Sequence, residues 1–156
     1  MNNREIKFRV WDKHANFMWT EEGRGLDNRY DHENFGAYPE VFLWALKDLR
    51  GESIGSFSPD LGDYTLQQYV NLLDISNKEI YEGDIVKCRL SYLPKESEKI
   101  TGVVEFSTET LSYILKFQNE GEIYSEELCL YRDFEVVGNI YENSSLAAEL
   151  GLSTVN

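Results

Sequence analysis

A serine set between two glycines is the first group in this sequence that could do chemistry. Residues 51–55 read Gly-Glu-Ser-Ile-Gly, which matches the G-x-S-x-G turn that presents a nucleophilic serine in α/β-hydrolases. That turn needs an acid and then a histidine later in the chain, whereas both histidines, His14 and His32, precede Ser53. Other triad orders exist on other folds, but a small acidic chain leaves little room for one. We therefore predict no catalytic residue here.

Side chains that bind metals or phosphates do not fall at the usual spacings. The two histidines and two cysteines lack the paired spacing of a closed zinc site. Residues 27–33, an acidic stretch, lack the glycine and the terminal glutamate of a calcium loop. Residues 23–25, Gly-Arg-Gly, lack the remaining glycine of a dinucleotide-binding turn, and no P-loop sequence occurs. The sequence thus predicts neither a metal site nor a cofactor.

Two carboxylates flank a glycine at Glu82, Gly83 and Asp84, and they allow two interpretations. They could form a catalytic acid pair, or they could accept backbone N–H groups in a turn that leads into a strand. The second interpretation is favoured because aspartate in turns commonly bonds to its own backbone. Gly138 and Asn139 interrupt a strand pattern in the same way, which predicts a bulge or a single turn.

The elements that must position these groups begin with a strand at the N-terminus. Residues 6–11 alternate apolar and basic side chains, which predicts a half-buried strand with Ile6, Phe8 and Val10 on its apolar face. Trp11 and Asp12 end the strand. We expect a buried anchor and a turn-capping carboxylate there, and an exposed tryptophan that binds a partner is the alternative.

A middle stretch, about residues 20–65, has the composition of loops at both ends because it is rich in Gly, Asn, Asp, Ser and Tyr. Within it, Pro39 and Gly51 bracket apolar residues at helical spacing, which favours a helix. The apolar run of residues 41–46 could equally be a buried strand.

Short strands follow at residues 86–92, 104–106, 113–117, 128–130 and 134–140. Their polar and glycine-bearing connections predict a small, strongly bent antiparallel barrel or sandwich. Cys88 and Cys129 lie within these patterns, where we expect small buried thiols and no disulfide. Asn143 offers a helix cap, residues 146–150 a short helix, and Gly151 its end.

Charge sets limits on the partners. The 156 residues carry a net charge of −13, and residues 101–156 alone hold 10 acidic and two basic side chains. This acidity argues against generic nucleic-acid binding. In the C-terminal half, the one candidate positive patch consists of the basic residues of the preceding fifty: Lys78, Lys87, Arg89, Lys95 and Lys99. With no apolar leader at the start and no apolar run longer than residues 41–46, we expect a cytoplasmic protein that does not enter a membrane.

Three blocks of the sequence together resemble the YopX family, a group of small proteins encoded by bacteriophages and prophages. The blocks are residues 4–12, residues 66–86 and residues 136–143, and they occur in the order of the family. The residues of these signature blocks to which we assign a structural role are Trp11, Asp12, Tyr81, Glu82, Gly83, Asp84, Gly138, Asn139, Tyr141, Glu142 and Asn143.

The resemblance implies a mainly β protein whose C-terminal half is similar to a small SH3-like antiparallel barrel, with self-association and no established activity. On this basis residues 1–156 form one domain: an N-terminal strand at 1–19, a variable loop or helical segment at 20–65, a barrel core at 66–143 and a short helix at 144–151. The chain departs from the family pattern at Asn71 and Asn77, where glycine is usual. Asparagine tolerates positive φ, so we expect both turns to survive.

These observations lead us to expect a non-catalytic accessory protein of a phage, present in the bacterial cytoplasm, that binds a host or phage protein or assembles with itself. The first alternative is an acidic mimic of nucleic acid that blocks a basic host protein, with Glu120, Glu122, Glu126 and Glu127 as its charged groups. The second alternative is an RNA-cleaving enzyme on a small barrel, which would need the basic patch as a substrate groove.

Overall fold

Antiparallel strands dominate the computed structural model, which describes residues 5–13, 16–20 and 64–152. The mainly β fold class, with curled antiparallel sheets and a short C-terminal helix, is confirmed. The helix predicted after Pro39 lies outside the described residues. The elements are β1 (Phe8–Asp12), β2 (Phe17–Thr20), β3 (Tyr64–Leu73), β4 (Glu79–Tyr81), β5 (Asp84–Leu90), β6 (Ile100–Ser107), β7 (Ser112–Asn119), β8 (Glu122–Glu127), a 3-10 turn (Leu128–Leu130), β9 (Tyr131–Asn139) and α1 (Ser144–Glu149). Within these residues, no helix is both long and apolar enough to cross a bilayer.

The described residues divide into two compact units. In the unit of residues 6–68, β1 pairs with β2 on one side and with the first half of β3 on the other. The predicted apolar face is wrong at Ile6, which is 67% exposed, whereas Val10 is fully buried. On the basic face Lys7 is half-buried and Arg9 is buried, and Arg9 Nε donates a 2.6 Å hydrogen bond to Gln67 Oε1. The alternating pattern predicted that the basic side chains contact solvent, whereas the Arg9 guanidinium is hydrogen-bonded inside the protein.

The other unit, residue 5 and residues 69–152, contains a curled five-stranded sheet in the order β8-β7-β6-β5-β9. The register between β5 and β9 shifts twice, once between Ile85 and Val86 and once between Lys87 and Arg89. Each shift gives β9 one residue more than β5, and such bulges bend a strand and increase its twist. The first shift adjoins Gly138, where the sequence pattern predicts an irregularity.

Both faces of this sheet are covered at the start of β5, where Ile85 and Val86 are adjacent buried apolar residues. Val86 points to a core shared by β6, β7 and β9, whereas the adjacent Ile85 points to a second cluster that includes Ala147 of α1. Because strand neighbours point to opposite faces, the two residues can both be fully buried only if each face is covered. The larger core consists of Val70, Ile80, Val86, Cys88, Val104, Leu115, Phe117, Leu128, Tyr131 and Phe134.

Asparagine adopts a left-handed conformation at both positions where the chain departs from the family pattern. Asn77 lies in the turn after β3. A turn at Asn71 is not found, because this residue lies within β3, where the register with β4 shifts. Asn71 has φ 62° and Asn77 has φ 64°. Asn71 does more than tolerate the conformation: its Oδ1 accepts from the Glu5 N–H at 2.8 Å, and its Nδ2 donates to the Glu5 carbonyl at 2.9 Å. A glycine could adopt the same φ, but it could not hold residue 5.

Asp74 ties the turn after β3 to the outer side of β9. Its Oδ1 accepts from the N–H groups of Ser76 and Lys78, and its Oδ2 accepts from the Val136 N–H at 3.1 Å. The Ile75 N–H donates to the Phe134 carbonyl at 2.8 Å. Burial opposes the charge of Asp74, but the three N–H donors and the charge of Lys78 outweigh it, so the pKa of Asp74 lies below its ordinary value.

Three local predictions near the C-terminus are wrong. The strand predicted at residues 128–130 is a 3-10 turn, and Cys129 within it is exposed instead of buried. The strand that precedes this turn is β8, which was not predicted because its mostly polar residues give no apolar alternation. Asn143 precedes α1 without capping it, because its Oδ1 instead accepts from the Asn139 N–H.

We predict that replacement by glycine leaves stability unchanged at Asn77 and lowers it at Asn71. Asn77→Gly should leave the free energy of unfolding within ~0.5 kcal/mol of wild type, since the lost side chain is exposed and the φ suits glycine. Asn71→Gly should lose about 1 kcal/mol with the two hydrogen bonds to Glu5. Asn77→Ala should cost about 1 kcal/mol. Urea unfolding measures all three, and equal values for Asn77→Gly and Asn77→Ala would contradict the role of positive φ.

Asp74 should make stability depend on acid pH. Its folded pKa is depressed, so its contribution is present above the unfolded pKa of about 3.9 and is lost as the pH falls through the folded pKa. Asp74→Asn should therefore cost about 1 to 3 kcal/mol at neutral pH, and this difference from wild type should shrink in acid. Urea unfolding across the pH range checks it, with the exposed change Glu96→Gln as control. A difference that does not vary with pH would refute the assignment.

Candidate functional site

The second and third signature blocks meet at a buried carboxylate. Asp84 is 1% exposed at the start of β5. Its Oδ2 accepts from the Tyr81 N–H at 2.8 Å, and its Oδ1 accepts from Asn139 Nδ2 at 3.3 Å. Gly83, which precedes Asp84 in the turn, has φ 82° and donates its N–H to the Val104 carbonyl at 2.8 Å. The turn therefore joins β4, β5, β6 and the end of β9.

Asn139 and Asn143 extend this network through the end of β9. Asn139 Oδ1 accepts from the Tyr141 N–H, and the Asn139 N–H donates to Asn143 Oδ1, each at 3.0 Å. A Cβ at residue 138 would lie 2.7 Å from Asn143 Oδ1, so a larger residue there would displace the Asn143 side chain from its hydrogen bond with the Asn139 N–H. We name these residues the signature cluster: Gly83, Asp84, Gly138, Asn139 and Asn143.

The remaining signature residues lie around the cluster or in the other unit. Tyr81 is buried, its ring lies 5.6 Å from that of Tyr69, and its hydroxyl donates to Glu79. Glu82 and Tyr141 are half-buried, and Glu142 is exposed. Trp11 and Asp12 belong to the other unit, where both are buried, at 5% and 7% exposure.

The chemistry of the cluster is that of a buried hydrogen-bond network. Both carboxylate oxygens of Asp84 accept from donors of the fold itself, so the group does not face solvent as an acid or a base. Among the described residues, no three His, Cys, Asp or Glu side chains are grouped to hold a metal ion. Ser53, His14, His32 and residues 27–33 lie outside the described part.

The candidate basic patch is partly neutralised. Arg89 Nε lies 3.0 Å from Asp133 Oδ2, and Lys99 Nζ lies 2.8 Å from Glu135 Oε2. The hydrogen bond from Lys99 and its charge hold the pKa of Glu135 below its ordinary value. Lys78, Lys87 and Lys95 are exposed. Two of the five cations are therefore paired with the acidic side chains of β9.

The thiol of Cys88 is closed off in the core. It is fully buried, and burial raises its pKa to about 12. Thiolate is the reactive form of cysteine, so Cys88 is chemically quiet in the folded protein. Both cysteines are free.

Strand β8 is the feature that sequence reasoning missed. It lies at one edge of the five-stranded sheet and exposes Ile123 (53%) and Tyr124 (43%). The Tyr124 ring stacks on Phe117 of β7, with centroids 5.6 Å apart and planes 19° apart. On the same face of the hairpin, the Tyr131 hydroxyl donates to Glu126, and burial together with this carboxylate raises the pKa of Tyr131.

Exposed apolar side chains also mark the hairpin of β6 and β7. Phe106 is 45% exposed and packs edge-on against Tyr113, with centroids 5.4 Å apart. Leu111, in the turn, is 76% exposed and has φ 54°, a conformation that bulky residues rarely adopt. The exposure of these two residues could not be predicted from a sequence motif, since a phenylalanine in a strand pattern is normally predicted to be buried.

Removing the charge of Asp84 should destabilise the signature cluster. Asp84→Asn places an N–H₂ group against either the Tyr81 N–H or Asn139 Nδ2, and rotation of the Asn139 amide would break its bond with Tyr141. We expect the free energy of unfolding to fall by about 1 to 3 kcal/mol. The exposed change Glu142→Gln, in the same family blocks, should be neutral. Urea unfolding decides, and equal stability of the two variants would contradict the network.

The chain was compared with curated proteins, with solved structures and with models of protein families. No curated protein matches the chain. Among solved structures, the chain is similar to one titled "Crystal structure of protein EF1440 from Enterococcus faecalis", with 22% identity, a TM-score of 0.36 and coverage of 92% of this chain and 99% of that chain. A family model described as YopX protein matches residues 7–148, nearly the whole sequence. The chain therefore belongs to the YopX family.

Proposed function

We propose that this chain is a non-catalytic accessory protein of a phage or prophage that acts by binding a partner protein or by assembling with itself. The observation that carries the proposal is the exposure of large apolar side chains on the β6–β8 sheet region: Phe106, Leu111, Ile123 and Tyr124. Aromatic side chains are enriched in the buried centres of protein interfaces.

The signature cluster supports the same proposal from a different direction. The hydrogen bonds of three polar side chains are made to one another and to nearby backbone N–H groups: those of Asp84, Asn139 and Asn143. Polar groups used in this way stabilise a fold and leave the surface free to vary. Function then resides in the side chains that the sheet displays.

The acidic-mimic alternative is favoured by one specific observation. Glu120, Glu122 and Glu127 are exposed in and beside one hairpin, and Glu126 is half-buried there. Carboxylates displayed in this way attract a basic protein surface. For the RNA-cleaving alternative, the ion pairs of Arg89 and Lys99 reduce the positive groove that a substrate would need.

We expect purified protein either to form a defined oligomer or to retain one host or phage protein in a complex of fixed stoichiometry. Affinity purification from the infected host, followed by native mass measurement and reconstitution from purified components, tests this. Replacing exposed apolar groups with Phe106→Ser and Leu111→Asn should weaken the complex severalfold. Asparagine suits the positive φ at residue 111, so the fold should persist.

Thr108→Asn, an exposed change in the same turn, is the control and should leave the complex intact. If the protein remains a monomer and no retained partner can be reconstituted, the proposal is wrong. A complex that dissociates steeply with added salt but ignores the apolar replacements would favour the acidic mimic.

A further inference from the structure

The five-stranded sheet has two edge strands, β9 and β8, and they differ in whether other groups occupy their outer side. At β9, the outer side is occupied: the Phe134 carbonyl accepts from the Ile75 N–H, and the Val136 N–H donates to the Asp74 carboxylate. Two bulges also bend β9, and bulges are a common means of blocking further strand pairing. This edge is therefore closed to another strand.

At β8 no further strand of the described residues pairs with the edge. Among the described residues, β8 pairs with β7 alone, and the register runs without a break from Glu122 to Glu127. Natural edge strands are usually protected by charged side chains, above all lysine, by proline, by a bulge or by a covering segment. Strand β8 contains no lysine, proline or bulge, and five of its six residues are exposed. Its charged side chains are Glu122, Glu126 and Glu127, which oppose pairing with an acidic strand but not with a basic one.

The β7–β8 turn fixes which backbone groups of β8 face outward. Glu120 and Gly121 form a two-residue connection with φ 51° and 86°, the signs of a type I′ turn. In such a hairpin the flanking residues, Asn119 and Glu122, form a hydrogen-bonded pair. Because the backbone groups of a strand alternate in direction, those of residues 123, 125 and 127 point away from β7. The edge thus presents a row of N–H and C=O groups.

Charge decides what can pair with this row. Residues 120–127 carry four glutamates and no basic residue. Lys116 lies opposite Ser125 across the ladder, but its ammonium group lies 3.4 Å from Glu105. A second copy of β8 would set glutamates against glutamates, and like charges directly opposite one another destabilise a strand pair. The occupant that fits is a strand with the opposite charge.

We propose that the β8 edge binds an extended lysine- or arginine-bearing segment of a partner protein, which adds a sixth strand to the sheet. This inference rests on the proposed function as an interaction module and deepens it by giving the chemistry of the partner. Backbone hydrogen bonds to residues 123, 125 and 127 supply the attachment, and Ile123 and Tyr124 offer apolar contact on the two faces. The glutamates select a basic strand and reject an acidic one.

The probe is a synthetic peptide that alternates lysine with valine and threonine, and binding to the full chain is followed by fluorescence anisotropy. A peptide with glutamate in place of lysine and a basic peptide interrupted by prolines serve as controls. We expect saturable binding of the first peptide only, weakening with added salt. Equal binding of the proline-interrupted peptide would overturn the proposal, because attraction of charge would then suffice without strand pairing.

Ser125→Pro tests the backbone directly. It removes an outward N–H and leaves the bonds to β7 in place, the position in which an edge strand tolerates proline. We expect affinity for the basic peptide to fall about tenfold or more, whereas Ser125→Ala should bind as wild type does. The charge variant Glu120→Gln, Glu122→Gln, Glu127→Gln should also bind more weakly than its control, Glu96→Gln, Glu98→Gln, Glu109→Gln.

Hydrogen exchange provides a readout that does not depend on any variant. The amides of residues 123, 125 and 127 should exchange fast in the free protein and slow when the peptide binds. Unchanged exchange there, or equal affinity of Ser125→Pro and Ser125→Ala, refutes the edge. If the natural complex forms equally well with folded Ser125→Pro, the edge proposal fails while the proposed interaction function stands.

Discussion

A carboxylate that water does not reach must be given its hydrogen-bond donors by the protein, and in this fold Asp84 imposes that demand. Its partners belong to residues 81 and 139, so the start of β5 is fixed against the end of β9. The neighbouring backbone completes the junction, because the Ile140 N–H donates to the Gly83 carbonyl. Loss of one partner would leave a buried charge uncompensated, which is why such groups act as a set.

The carboxylate of Asp74 fixes the middle of β9 by a hydrogen bond, as Asp84 fixes its end. The bulges curve β9, and Asp74 meets it between them at Val136. The strand is therefore held at two points by side-chain carboxylates, while Val86 and Phe134 belong to the larger core. The curl of the sheet follows from local bulges and long-range hydrogen bonds acting together.

Much of this architecture could be predicted, because alternation marks β5, β7 and β9 and because Asn71 and Asn77 tolerate the φ their positions require. Strand β8 could not, since its hydrogen bonds to β7 determine it and its side chains give no apolar period. The contact of Asp74 with Val136 spans 62 residues, so local sequence shows only a turn aspartate. The resemblance named the signature residues, but the hydrogen bonds that join those at residues 81, 84, 139 and 143 could be seen only in the fold.

The exposed Cys129 has a practical consequence. It follows β8 by two residues and carries the chain's accessible thiol within the described part, while the Cys88 thiol is sealed in the core. A maleimide dye can therefore be attached beside the sheet edge in the natural sequence, with no engineered cysteine. The same chain brings an internal standard, because alkylation at residue 88 would report only molecules whose core has opened.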